Sequence, residues 1–356
     1  ILHHRAKGLA KGDPISLPIV PAATFHLPEV AGASHIYGRN GMATWEAVEA
    51  QLSLLEQAEV VSFPSGMGAI SAALMAVLKQ GDKLIVPSDG YYVTRVFSSG
   101  FLAPFGVEVV ELATRDYATA DFTSAAVVYL ETPSIPGLEV VDIADVVARA
   151  HAAGAIVIAD NTTMTPLMQQ PLDLGVDLVV AADTKAPAGH SDVLFGHVAG
   201  REAGVMARVR DWRRLSGAVP GPFEAWQVHR GIETLELRLG RMCASAQVIA
   251  ERLAAHKSVT GVRYPWLAGD ASEAVARRQM ASGGFLISFE MADAVRAERF
   301  LTDCPYIVQS TSFGGTHSSG ERRARWGDSV AEGFIRLSVG IEPVEVLWSA
   351  MAAALD

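Results

Sequence analysis

The chain reads as an α/β protein with a mainly parallel seven-stranded sheet in a large domain, a smaller C-terminal α/β domain and an extended N-terminal arm. Three observations carry that expectation. Between about residues 56 and 200, short β-branched or apolar runs alternate with stretches of helical period. The first 45 residues are broken by Pro14, Pro18, Pro21 and Pro28. A helical stretch from near Glu224 towards Leu253, which carries Gly231 and little other punctuation, leads into a second, shorter alternation.

The strands expected of the large sheet are Val60–Phe63, Lys83–Pro87, Val107–Glu111, Ala126–Leu130, Ala155–Ala159, Leu178–Ala182 and Leu194–Ala199. Met67–Leu78 and Val141–Ala152 carry apolar residues at helical spacing between them. Towards the end, Gly284–Glu290 and Phe334–Val339 read as strands and Val344–Ala354 as a last helix. The domain division drawn from this is an arm over 1–45, a large domain over 46–230 and a C-terminal domain over 231–356, with the arm suited to clasping a neighbouring subunit.

Composition narrows the function classes. Half of the 356 residues are hydrophobic and 19% are charged, enough to build a sizeable core. The formal net charge is -10, and the lysines and arginines are scattered, so no electrostatic footprint for a nucleic-acid backbone exists. Two cysteines, Cys243 and Cys304, lack CxxC spacing, and the ten histidines show no HExxH pattern, which argues against a disulfide framework or a metal site. His190, His229 and His317 therefore read as polar or core residues. No apolar run is long enough for a bilayer and no basic segment with an apolar signal stretch opens the chain, so no membrane partner and a cytoplasmic location are expected.

Among the lysines at 7, 11, 79, 83, 185 and 257, only Lys185 follows a long apolar run, Val176–Thr184. At the carboxyl end of a buried strand its amine is desolvated, which lowers its pKa and favours the neutral form needed for imine chemistry. Position alone leaves open a lysine whose stem packs on the sheet and whose head reaches water. Asp160 ends the strand before it and points to the same sheet edge, where open α/β folds put their ligands. A lysine for an imine and an acid for a pyridine nitrogen together suit pyridoxal 5'-phosphate (PLP); taken singly, Asp160 also fits a helix cap.

Phe63–Gly68 passes from a strand through a small-residue turn into a helix, a suitable seat for a phosphate. Tyr91, after the strand ending at Pro87, can stack on a flat ring, or be an ordinary half-buried tyrosine near a turn. Arg336, inside the apolar run Phe334–Ser338, requires an anion. The α-carboxylate of an amino acid would satisfy it through a forked bond, and so would a structural Asp or Glu.

These segments resemble the Cys/Met metabolism family of PLP enzymes, of fold type I, over nearly the whole chain. The resemblance is carried by Tyr37–Thr44, Pro64–Met67, Glu131–Pro133, Ala159–Thr162, Thr184–Lys185, Gly189–Asp192, Arg230–Leu235, Ser312–Gly315 and Ile335–Glu342. It implies that Lys185 holds the cofactor, that Asp160 faces the ring nitrogen, that Tyr91 stacks on the ring and takes part in catalysis, and that Gly66, Met67 and Thr184 bind phosphate. It further implies that Tyr37 and Arg39 reach the phosphate of a neighbouring subunit, hence a homo-oligomer, expected as a dimer of dimers. Arg336 and Ser312 would hold the substrate carboxylate, with Phe313 and Trp226 beside the substrate.

Within the family, Leu138–Asp142 and Ala182 resemble the bacterial branch that cleaves cystathionine by β-elimination to homocysteine, pyruvate and ammonia. Cystathionine γ-lyase, cystathionine γ-synthase and methionine γ-lyase chemistry are the alternatives, and a PLP-binding protein without catalysis is a remote one. The chain departs from the family pattern at Ile135, Asp183, Ala186 and His317, all near the substrate pocket or the lysine.

Overall fold

The computed structural model describes residues 1–356. The arm has only a 3-10 turn at Ala6–Gly8 and an isolated bridge between Thr24 and Tyr37, and regular structure starts at Ala43. The large unit then runs α1 (Ala43–Glu56), β1 (Glu59–Phe63), α2 (Gly66–Val77), β2 (Lys83–Pro87), α3 (Tyr92–Phe97), β3 (Glu108–Leu112), β4 (Ala125–Glu131), α4 (Ile143–Ala152), β5 (Ile156–Asp160), α5 (Thr165–Met168), β6 (Leu178–Ala181), β7 (Gly196–Gly200) and α6 (Ala203–Ser216). All seven expected strands are present within about two residues of their expected ends.

The sheet order is β1-β7-β6-β5-β4-β2-β3. β7 is antiparallel to both β1 and β6, and the pairs among β2 to β6 are parallel. Along each strand, alternate side chains enter two different buried clusters. Val60, Val128, Val157, Val179 and Ala199 join one, and Val61, Val127, Ile158, Val180 and Val198 join the other. Both faces of the sheet are thus covered, which is why these strands are apolar throughout rather than alternating.

The expected helix from Glu224 to Leu253 is instead two, α7 (Pro222–Ile232) and α8 (Leu235–Ala254), parted at Glu233–Thr234. The break accompanies side-chain competition for backbone. Thr234 bonds the Gly231 carbonyl through both its amide and its hydroxyl, and Arg238 reaches the same carbonyl at 2.7 Å. α8 joins the two cores: Leu239 and Met242 pack in the large unit, Ile249 and Leu253 in the small one.

The small unit holds β8 (Thr260–Arg263), α9 (Glu273–Gln279), β9 (Leu286–Glu290), α10 (Ala294–Asp303), β10 (Val308–Gln309), β11 (Ser319–Arg322), β12 (Phe334–Ser338) and α11 (Val344–Leu355). Its sheet has five strands in the order β10-β11-β12-β9-β8, where the sequence suggested two. Only β9 and β12 are apolar runs; β8 and β10 are short and largely exposed, and β11 is Ser-Gly-Glu-Arg. No helix is long and apolar enough to cross a membrane.

Candidate active site

The parallel strands β4 and β5 end in register on two acids, Glu131 opposite Asp160, and β6 ends beside them before the turn that carries Lys185. Parallel strands aim their carboxyl ends at one edge, so three ionisable groups distant in sequence converge there. Asp160 is 7% exposed; it accepts a bond from the Tyr129 hydroxyl at 3.2 Å and one from the Thr162 amide at 2.9 Å. Burial raises its pKa, while those bonds and the Lys185 charge act against the rise. A cation placed against this carboxylate would restore its ionised form, which is what a protonated ring nitrogen offers.

Glu131 accepts from the Tyr91 amide at 2.6 Å and the Ile135 amide at 3.0 Å. Burial and the neighbouring Asp160 carboxylate push it up to about 8, against those two amides. Sequence reasoning gave Glu131 no role, yet it ties the segment that starts α3 to the end of β4. Tyr91 lies at that tie, 44% exposed, edge-on to Tyr92 with ring centres 5.7 Å apart. Burial, then Tyr92, Asp160 and Glu131, raise its phenol pKa, so it stays protonated at neutral pH.

Lys185 donates to the Ser312 hydroxyl at 2.9 Å, and its amine lies 4.8 Å from the centre of the Phe313 ring. Burial, helped by the Arg336 charge, lowers its pKa to about 8, with Asp160 and Glu321 opposing. A primary amine in this state is neutral often enough to form an imine. On the same ring, 5.3 Å from its centre, lies the Arg336 guanidinium. Gly314 makes this approach feasible: it has φ +78°, and a Cβ there would stand 2.8 Å from the Ala186 amide nitrogen.

Arg336 is 4% exposed and has the acidic partner that a buried strand arginine needs. Glu321, directly across on β11, accepts from its Nη2, which also donates to the Thr311 carbonyl at 2.8 Å and the Ser312 carbonyl at 3.3 Å. Glu321 is gripped in turn by Arg323 at 2.6 Å and the Trp326 indole at 2.8 Å. Burial lowers Arg336 to about 10, which leaves it charged at neutral pH. The structural acid that the sequence left open as a partner for Arg336 is thus present, and nothing in the sequence of β11 had marked Glu321.

The turn that the sequence suggested as a phosphate seat is the start of α2. Ser65 caps it, accepting from the Gly68 amide at 3.0 Å, and a Cβ on Gly66 would stand 2.6 Å from the Cβ of Ala182, so only glycine lets the helix start this close to the end of β6. Met67 opens the same helix. The hydroxyl of Thr184 accepts from the Phe195 amide at 2.9 Å and donates to the Phe195 carbonyl at 3.2 Å. A phosphate bond from Thr184 would have to replace the second of these.

Two expectations fall outside this group. Trp226, on α7, stacks with Phe223, their ring centres 6.3 Å apart. Tyr37 and Arg39 pack against each other on the arm and line a separate cleft with Pro21, Met42, Val219 and Pro222.

A buried lysine near neutrality, a buried acid wanting a cation, a protonated tyrosine and a helix-start anion seat fit PLP, and with the mainly parallel seven-stranded sheet they define a fold type I PLP enzyme. The description "Cys/Met metabolism PLP-dependent enzyme" matches residues 2–356, and the chain belongs to that family. It is 45% identical over 353 residues to a putative cystathionine gamma-lyase of Streptomyces coelicolor, covering 97% of this chain and 90% of the relative. A cystathionine beta-lyase of Lactococcus lactis is 34% identical, with 96% and 94% covered. The crystal structure of apo CalE6, a methionine gamma lyase from Micromonospora echinospora, superposes with a TM-score of 0.94 at 36% identity, over 100% of this chain and 97% of that one.

Proposed function

We propose that the chain is a PLP-dependent carbon-sulfur lyase of sulfur amino acids whose preferred reaction on cystathionine is γ-elimination, giving cysteine, 2-oxobutyrate and ammonia. The observation that favours γ over β is the similarity itself: 45% identity to the putative γ-lyase against 34% to the β-lyase at nearly equal coverage. The β-elimination suggested by Leu138–Asp142 and Ala182 is the second reading, supported by likeness to the lactococcal enzyme.

Bound PLP would supply an electron sink for negative charge developing at the substrate's α-carbon. The chain's own groups do the rest. Arg336, with Ser312, takes the substrate carboxylate and sets the α-carbon beside Lys185. The Lys185 amine, aimed by the Ser312 hydroxyl and neutral above pH about 8, removes the α-proton. In a γ-elimination the same amine must serve the β-carbon next. The Tyr91 phenol, which stays protonated at neutral pH, would be the proton donor to the departing sulfur. Asp160 would hold the nitrogen of a bound pyridine ring protonated.

Tyr37 and Arg39 would complete the phosphate site of a second subunit, which makes the active form a homo-oligomer. The exposed Phe101, Phe105 and Leu194, at 61%, 75% and 65%, are apolar surface that such contacts would cover. The test is a keto-acid assay on cystathionine. A majority of 2-oxobutyrate supports γ-elimination, a majority of pyruvate transfers the assignment to the β-lyase reading, and no keto acid from cystathionine, cystine or methionine overturns both.

A further inference from the structure

The turn that carries Lys185 is fastened from beneath by a buried charged chain that the chemistry above does not use. His197, on β7, is fully buried, with Nδ1 2.9 Å from Asp183 and Nε2 3.1 Å from Glu56, the last residue of α1. Asp183 and Glu56 are also fully buried. Each ring nitrogen facing a carboxylate makes both of them donors, and that is possible only in the imidazolium form. Burial works most strongly against that charge, but the Asp183 and Glu56 carboxylates together outweigh it and lift His197 to about 10.

Asp183 stands two residues before Lys185 and next to Thr184. Its carboxylate grips β7 while its carbonyl accepts the Ala188 amide at 2.9 Å, so one residue closes the turn and pins it to the sheet. Arg238 holds the far side of the same turn, bonding the carbonyls of Ala186 at 2.6 Å and Pro187 at 3.1 Å. The chain of charges is not the cheapest filling for this space. It sets two carboxylates against one imidazolium, and Glu56 Oε2 has no hydrogen-bond partner. Apolar residues of like volume would fill it at lower cost, but would give the turn no directional anchor.

We propose that Asp183, held by His197 and Glu56, is a positioning residue that fixes the Thr184–Lys185 turn and thereby sets the affinity of the protein for PLP. This rests on Lys185 being the attachment point and is independent of which carbon-sulfur bond is cleaved.

The full chain, stripped of PLP, is titrated with PLP and its Kd is read from the absorption of the bound cofactor. Hydride reduction followed by peptide mass identifies the attached lysine separately, so a wrong lysine is distinguishable from a failed anchor. Asp183→Asn keeps size and an acceptor for His197 but drops the charge, and is expected to raise the Kd at least about tenfold. Glu49→Gln, which cuts the buried Arg213 pair away from the turn, is the control expected to lower Tm while leaving the Kd within about twofold. If Asp183→Asn does not fold, His197→Gln is read against the same limits. A Kd within about twofold of the parent in the folded variant, whatever its Tm, overturns the proposal, as does an equal rise in Glu49→Gln.

Discussion

The carboxyl edge of the large sheet and the β11–β12 pair of the small one both bury charge, and they treat it in opposite ways. At the large-sheet edge, Lys185 bonds a hydroxyl rather than a carboxylate, and Glu131 and Asp160 crowd each other, so three groups sit away from their ordinary pKa values. On the small sheet, Arg336 is matched by Glu321, which is matched by Arg323, which is matched by Asp328. The contrast separates two tasks. Lys185, proposed to gain and lose a proton, has no carboxylate bonded to it, whereas Arg336, which stays charged, is bonded to one.

Breaking the uncompensated region should have the largest effect. Lys185→Ala is expected to lower keto-acid release by on the order of a thousandfold or more, since it removes the amine that moves the proton, and to abolish the absorption of covalently held cofactor. Steady-state turnover and the absorption spectrum check the two parts.

Breaking the compensated region should act on affinity and orientation. Arg336→Ala is expected to reduce kcat/KM by about a hundredfold, and Arg336→Lys to recover little, because a lysine lacks the planar fork. Activity on cystathionine across a wide concentration range measures it.

A change of pH sharpens the comparison without mutation. Burial holds the free Lys185 amine at about 8, so the neutral form that attacks an aldehyde grows as pH rises through that value and is scarce below it. Reconstitution of the PLP-free protein should accelerate roughly tenfold per pH unit below 8 and level off above. Stopped-flow absorbance gives the profile; a rate flat between pH 6 and 9 contradicts the depressed amine.

The smallest effect is expected at the second partner. Glu321→Gln keeps a bond to Arg336 but loses the charge, and should raise KM severalfold, about 1 kcal/mol, with kcat nearly unchanged. Initial rates distinguish this from a general loss of activity.

Legibility in the sequence followed burial. β2, β4, β5 and β6 were readable because each is a largely apolar run covered on both faces, and β9 and β12 are buried runs of the same kind, while the edge strand β3, Glu-Val-Val-Glu-Leu, was readable from its β-branched pair alone. β8, β10 and β11 were not, because short, polar or exposed segments become strands only when a neighbour offers hydrogen bonds. Lys185, Asp160 and Arg336 were legible because an ionisable group in or beside an apolar strand stands out, whereas Ser312 was suggested only by the family resemblance. Glu131 was visible only as part of a motif. Glu321 and His197 were hidden, since each derives its meaning from a partner on another strand or helix.

Local chemistry along the chain was therefore enough to determine the doubly covered sheet, the lysine and acid at its edge, and the cofactor they suit, because a hydrophobic pattern and a stranded charge are properties of a few consecutive residues. Which charges face each other was decided only by the fold. Glu321 beside Arg336, and Glu56 and Asp183 on either side of His197, are pairings across elements up to 141 residues apart, and the strength of a charge in a low-dielectric interior depends on that distance in space rather than in sequence.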